Sequence, residues 1–383
     1  MSIRYPSIKY WITALLLTGC ISDARSDLRF LCQSQLAEIQ RGLPDFFHRL
    51  NISTALIIQS ADEKPGLLTL SLATVQDDIL TLDFFLRPEY FLSTEPVDLP
   101  VGNGLFRTEQ TVSRKEIVLA LLQHGRVTEF KGKACSLAAL IDHVGIRQNI
   151  VAWTERLNWI WPNGGSAKWN PRYWRRGTPR RGVSLHTAVM DTFIHQEKYS
   201  IGCYTATKLV FVQGMLDYYR RIKKDPIRLL QVEKALLADG DPLADIEPGE
   251  MWSFETDFPP QKLKQPGKLL SLHFKVAQGN FVPGDWGYFL NTDAASYKKV
   301  GYEGSNFIYL GRNLFDDYYN DHDHRYTYEQ KIDEVYQWRH GVFSRLRDLH
   351  KVKPLSNNDF PRLGKTPNAG GIQLDVRLAP RYF

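Results

Sequence analysis

Apolar positions along the chain change period several times, and each period predicts a different element. Between residues 51 and 72, and again between 79 and 86, they alternate or run together and are bounded by Gly, Pro and Asp, which predicts strands. Ser113 stands three residues before Glu116, a capping-box spacing ahead of the apolar run 117–122, and Gly125 is placed to stop that helix. A second helix is predicted after Cys135, running on toward Leu157. Residues 203–222 are apolar on most sides, which predicts a buried helix beginning at Cys203. Arg220, Arg221, Lys223 and Lys224 follow at its end, where positive charge suits the helix dipole. Strand periodicity returns at 269–277, 286–290 and 307–310, with Pro283-Gly284-Asp285 and Gly311 at turns. Ile332, Val335, Val342, Leu346 and Leu349 share one face of an amphipathic helix over 327–350. The last thirty or so residues, rich in Pro, Gly and Asn, read as an extended tail over the surface.

The order is an α+β fold class in four parts. These are a signal segment at 1–20, an N-terminal α+β region at 21–150, a main domain at 151–326, and a helix with its tail at 327–383. Composition supports a globular body, since 43% of the 383 residues are hydrophobic and 23% charged. A net charge of +6 suits an acidic partner, anionic lipid or cell-wall polymer, or is simply a basic surface. No nucleic-acid motif is present, so no nucleic-acid partner is expected. Trp153, Trp159, Trp161, Trp169 and Trp174 crowd a stretch that also carries Arg172, Arg175, Arg176, Arg180 and Arg181. That mixture predicts a packed irregular connection, with cation–π contacts or an anion site as the sharper alternative.

The N-terminus reads as a targeting segment. Arg4 and Lys9 precede a short apolar run, Trp11 to Leu17, that is too short to span a bilayer in the mature protein. Leu17-Thr18-Gly19-Cys20 resembles a bacterial lipobox, which implies lipidation at Cys20 and a membrane anchor. The alternative is an ordinary secretory signal. Ile21 after the lipobox favours the outer membrane in a two-membrane cell, with the body in the periplasm or outside. The cysteines are 20, 32, 135 and 203. Cys32 and Cys135 are either a disulfide, as an oxidising compartment permits, or two small buried apolar residues. Either way Cys203 is left as a free thiol.

Cys203 follows Gly202 at a predicted helix start, where unpaired N–H groups and the dipole favour a thiolate. By residues alone it nevertheless reads as a core cysteine. From about Asn170 to Phe315 the chain resembles the protein-glutamine gamma-glutamyltransferase family of bacterial spore coats. The matching stretches are Asn170 to Trp174, Gly182 to Leu185, Ala188 to Phe193, Tyr199 to Thr207, Gly284 to Asn291, and Gly304 to Gly311. The resemblance implies a papain-like core and no cofactor or metal. It implies a cysteine, here Cys203, that accepts a glutamine acyl group, releases ammonia and passes the acyl to a lysine on a protein partner. Two departures stand out. Gly202 replaces the glutamate before the cysteine, and Ser305 replaces the glutamate that acts as the base. Glu303, two residues earlier, or His273, on the preceding strand, are the candidate substitutes, with His322 and His324 beyond. The candidate catalytic residues are therefore Cys203, Glu303, Ser305, Asn306 and His273, with backbone N–H groups at 203 and 204 for the oxyanion. Asp316, Asp317, Asp321, His322, Asp323 and His324 invite a metal reading, but a polar solvated loop is the expectation. His186 and His195 are expected to be structural or exposed. Two other functions stay open: a cell-wall amidase or peptidase, and a non-catalytic lipoprotein module that kept the fold.

Overall fold

A computed structural model describes residues 28–32, 34–61, 66–73, 88–123, 127–160, 167–175, 177–238, 271–274, 281–291, 293, 295–299, 302, 304–317, 325–342, 348–363 and 372–378. The segment around Cys20, the predicted strand at 79–86, Gly125, Glu303, His322 and His324 lie outside them. The architecture is α+β. Among the described residues no helix is long and apolar enough to cross a membrane.

The N-terminal part pairs β1 (Leu28–Leu31) with β3 (Leu67–Leu72) antiparallel and with β6 (Thr128–Lys131) parallel, and β2 (Ile57–Ala61) flanks β3. Helix α1 (Leu36–Arg49) buries Ile39, Leu43, Phe46 and Phe47. A long hairpin, β4 (Thr94–Gly102) and β5 (Leu105–Val112), was not evident in the periodicity; it turns at Asn103 and Gly104, both with positive φ. Helix α2 (Arg114–Leu121) starts where predicted, with the Ser113 hydroxyl accepting the Glu116 N–H at 3.2 Å. The box is not reciprocal, because the buried Glu116 carboxylate instead meets Arg312 at 3.0 Å. Helix α3 (Leu137–Thr154) is capped by Ser136 and is buried along its second half. Cys32 and Cys135 are joined by a disulfide, Cα–Cα 5.7 Å, which ties the end of β1 to the approach of α3.

The chain then folds a small hairpin, β7 (Trp174–Arg175) with β8 (Thr178–Pro179), followed by α4 (Leu185–Ile194) and α5 (Cys203–Asp217). Every residue of α5 is buried, as its apolar surround predicts, and one π-helical turn, Tyr218–Ile222, extends it. Gly214 lets α3 come close, since a Cβ there would lie 2.8 Å from the Ile150 Cα. Helix α6 (Pro226–Ala238) follows.

The second sheet is antiparallel in the order β13-β12-β11-β10-β14-β9. Its strands are β9 (Ser271–Phe274), β10 (Trp286–Asn291), β11 (Gly304–Gly311), β12 (Leu314–Asp316), β13 (Arg325–Thr327) and β14 (Ile372–Leu378). One face, with Trp286, Ile308 and Leu310, packs on α5 in a core that runs unbroken back to β1. The other, with Phe289, Phe307 and Phe315, packs on α7 (Tyr328–Trp338). Two expectations change here. Helix α7 ends at Trp338, ahead of Gly341 with its positive φ, so Leu349 is exposed rather than on the buried face. The C-terminal stretch is not only a surface tail, because β14 lies inside the sheet between β10 and β9.

Candidate active site

The loop that delivers Cys203 is held by a buried carboxylate. Asp191 on α4 accepts hydrogen bonds from Tyr199 Oη at 2.6 Å and from Asn170 Nδ2 at 2.7 Å, and His195 Nδ1 lies 2.7 Å from its other oxygen. Trp174 Nε1 donates to the Ala188 carbonyl at 3.1 Å, and Trp169 packs on both Trp174 and Tyr199. Ser200 exchanges two backbone hydrogen bonds with Lys168, so the chain reaches Gly202 already fixed. Much of the sequence that matches family words therefore builds this support. In the tryptophan-rich stretch Trp153, Trp159 and Trp174 are buried as predicted, Trp161 and Arg176 lie outside the described residues, and Arg172 lies over the Tyr173 ring at 5.5 Å. Arg175, Arg180 and Arg181 line an open cavity of about 780 Å³ with Thr178 and Pro179.

Gly202 caps α5 in an extended conformation, and Cys203 is the first helical residue, 4% exposed. Across from it, Asn306 on β11 donates from Nδ2 to the Cys203 sulfur at 3.7 Å. The Asn306 carbonyl oxygen in turn accepts from Trp286 Nε1 at 3.0 Å, which sets the amide orientation. Trp286 is wedged against Tyr204 and Phe211 of α5, with ring centroids 5.3 Å and 6.1 Å away. Before β10, the turn at Gly284 is locked by a buried ion pair, Arg147 to Asp285 at 2.8 Å. The other Asp285 oxygen accepts the Val282 N–H at 2.8 Å, which closes the turn.

Strand alternation sorts the other candidates. Ser305 pairs with Phe289 in the ladder and shares its face, away from α5, and its buried hydroxyl has no hydrogen-bond partner. The structure thus brings Asn306, not Ser305, to the thiol. His273 sits on β9, which pairs with β14 and not with β10, so it is three strands, roughly 14 Å, from β11. The preceding strand in sequence is thus separated from β10 by β14. Among the described residues the thiol's side-chain partner is an amide, not a carboxylate or imidazole. His186 pairs with Glu233 at 2.8 Å and His195 with Asp191, so both are structural.

The helix N-terminus was expected to favour a thiolate, but burial outweighs it. Burial pushes the Cys203 thiol up to about 11, the charge of Asp317 adds to the rise, and hydrogen bonds from Asn306 and the Tyr204 backbone pull the other way. Asp316 and Asp317 are not in a solvated loop; they are 3% and 1% exposed. Asp317 meets Lys331 Nζ at 3.0 Å, and Lys331 is held on its other side by Glu334 at 3.0 Å. Asp316 is pushed well above the usual carboxylate range by burial and by Asp317. Among the described residues no group of three or more His, Cys, Asp or Glu side chains is arranged to hold a metal.

A family model described as protein-glutamine gamma-glutamyltransferase matches residues 106–339. No curated protein matches the chain. Among solved structures the chain is similar to a transglutaminase from Geobacillus stearothermophilus, without its C-terminal extension, at 18% identity and a TM-score of 0.40. That similarity covers 64% of this chain and 95% of the other.

Proposed function

Because the chain belongs to the protein-glutamine gamma-glutamyltransferase family, we propose that it is an exported acyltransferase in which Cys203 takes the acyl group of a protein glutamine and passes it to a lysine amine. The observation that carries this is the pairing of Cys203, at the start of a buried helix, with the oriented Asn306 amide on the facing strand. The sulfur attacks the carboxamide carbon, ammonia leaves, and lysine attack on the thioester frees the thiol. Backbone N–H groups at 203 and 204 are the oxyanion donors, a contribution of about 3 kcal/mol in such sites. The reaction needs no cofactor.

Export and lipid anchoring at Cys20 rest on the lipobox-like sequence, and the Cys32–Cys135 disulfide supports an oxidising compartment. The anchored body then meets envelope proteins that carry Gln and Lys. A second reading, a module that keeps the fold without turnover, is favoured by the amide, rather than a base, beside the thiol among the described residues. Incorporation of a fluorescent amine into a glutamine-bearing protein separates the two. Wild type incorporates it and Cys203→Ala does not; equal signal from both sinks the acyltransferase. Cys20→Ala is expected to abolish labelling by a radioactive fatty acid and to release the protein from membranes. Unchanged labelling would reject the anchor.

A further inference from the structure

Asp316 is a buried acid that no cation among the described residues holds. It is 3% exposed, and its Oδ1 has no hydrogen-bond partner. Among the described residues, the charged groups around it are committed elsewhere. Asp317, the residue after β12, takes Lys331 and accepts from Tyr326 Oη at 3.4 Å, while Glu334 on α7 takes the other side of Lys331. Arg325, its ladder partner on β13, pairs with Glu155 at the end of α3. Arg312, on the turn before β12, pairs with Glu116 of α2. An unpaired buried carboxyl disfavours folding, and function is the usual reason one is kept.

Its position supplies that function. Asp316 pairs with Ile308 in the ladder, and Ile308 packs on the α5 side of the sheet. Asp316 therefore shares the face of Asn306, as its diagonal neighbour across the strands at about 7–8 Å. Cys203 is delivered to the same face by α5, against Asn306. We propose that Asp316 is the proton acceptor for the Cys203 thiol, the carboxylate that the neighbouring strand supplies in place of Ser305. This rests on the acyltransfer reading.

In the first half-reaction the Sγ–H proton goes to the Asp316 carboxylate, directly or through one water, as the sulfur–carbon bond forms. When the carbon–nitrogen bond breaks, that proton passes to the departing nitrogen and ammonia leaves. In the second, the attacking lysine amine gives a proton to Asp316, and the proton returns to the sulfur as the thioester bond breaks. Burial and the charge of Asp317 make the ionised Asp316 a stronger base than an exposed aspartate, which narrows its gap to the thiol at about 11.

The test compares wild type, Asp316→Asn, Asp316→Glu and Glu303→Gln for amine incorporation across pH. Asp316→Asn is expected to lose about 100-fold or more in kcat at neutral pH. Its ascending limb should move up toward the thiol's own value, about 11. Asp316→Glu should recover part of the rate, and the melting temperature of Asp316→Asn should not fall, since the amide replaces an unpaired acid. Activity within about threefold of wild type with an unmoved limb would overturn the assignment, as would the same loss appearing in Glu303→Gln instead. If wild type incorporates no amine, the acyltransfer reading fails, and the pH dependence of Cys203 alkylation by iodoacetamide is read instead. A wild-type limb below that of Asp316→Asn upholds the coupling of Asp316 to Cys203. Coincident limbs, or no alkylation of either, overturn it.

Discussion

At the scale of residues, the strongest expectations attach to charges that burial has made costly. Arg147 and Asp285 are 1% and 0% exposed, and Arg147 also reaches the Pro283 carbonyl and His143. Removing one partner strands the other charge, so Arg147→Ala is expected to cost about 3–5 kcal/mol in urea denaturation. A change below about 1 kcal/mol would show that the pair does not lock the turn before β10. The position of Cys203 at a helix start was legible in the apolar run that follows it. Less legible was Asn306, named as a candidate without a role, because only the fold puts its amide on the sulfur. Asp316 and Asp317 were misread. A run of acids and histidines has the composition of a solvated loop, and only the pairing of β12 with β11 shows that the first two are buried. Ser305 was assigned by analogy of position, and strand alternation turned it away.

At the scale of elements, helices with caps and continuous apolar surround were readable, and strands were readable where they alternate between clear turns. Helices α2, α3 and α5 start at Ser113, Ser136 and Gly202 for local reasons. Strand β14 was hidden by its Pro- and Gly-rich flanks, although Ile372, Leu374, Val376 and Leu378 alternate as a strand should. What sequence alone does not encode is that this segment returns to the interior of a sheet begun about a hundred residues earlier. The packing of α3 on α5 hangs on Gly214. Gly214→Val is expected to force the helices apart and destabilise by about 1–3 kcal/mol, with amine incorporation reduced as Cys203 shifts. Wild-type stability and rate in that variant would mean that the crossing has slack. The disulfide closes a separation of 103 residues between β1 and α3. Its replacement by two serines is expected to cost about 4 kcal/mol. A melting temperature unmoved by reductant would contradict that.

At the scale of the whole molecule, stability should fall as pH rises through the weakly acidic range. Burial raises Glu116 from 4.5 to about 7, and Arg312 only partly offsets it. The native state therefore binds a proton that the unfolded chain has released, and unfolding becomes easier between about pH 4.5 and 7, by at most about 3 kcal/mol from this group. Glu116→Gln should accordingly compare better with wild type at pH 8 than at pH 5 in thermal melts; the reverse order would show that the Arg312 ion pair dominates. The continuous core explains why the N-terminal region and the sheet bearing Asn306 are expected to melt together.

The interior place of β14 has a consequence for how the protein is made. Chains are built from the N-terminus, yet the strand that fills the gap in the second sheet emerges about eighty residues after β10. Until residues 372–378 are in hand, β10 presents an open edge and β9 lacks its neighbour among the described strands. The sheet around β10 and β11 is therefore finished only once residues 372–378 have emerged. Chains terminated before residue 372 would offer a bare strand edge to aggregation or to proteases.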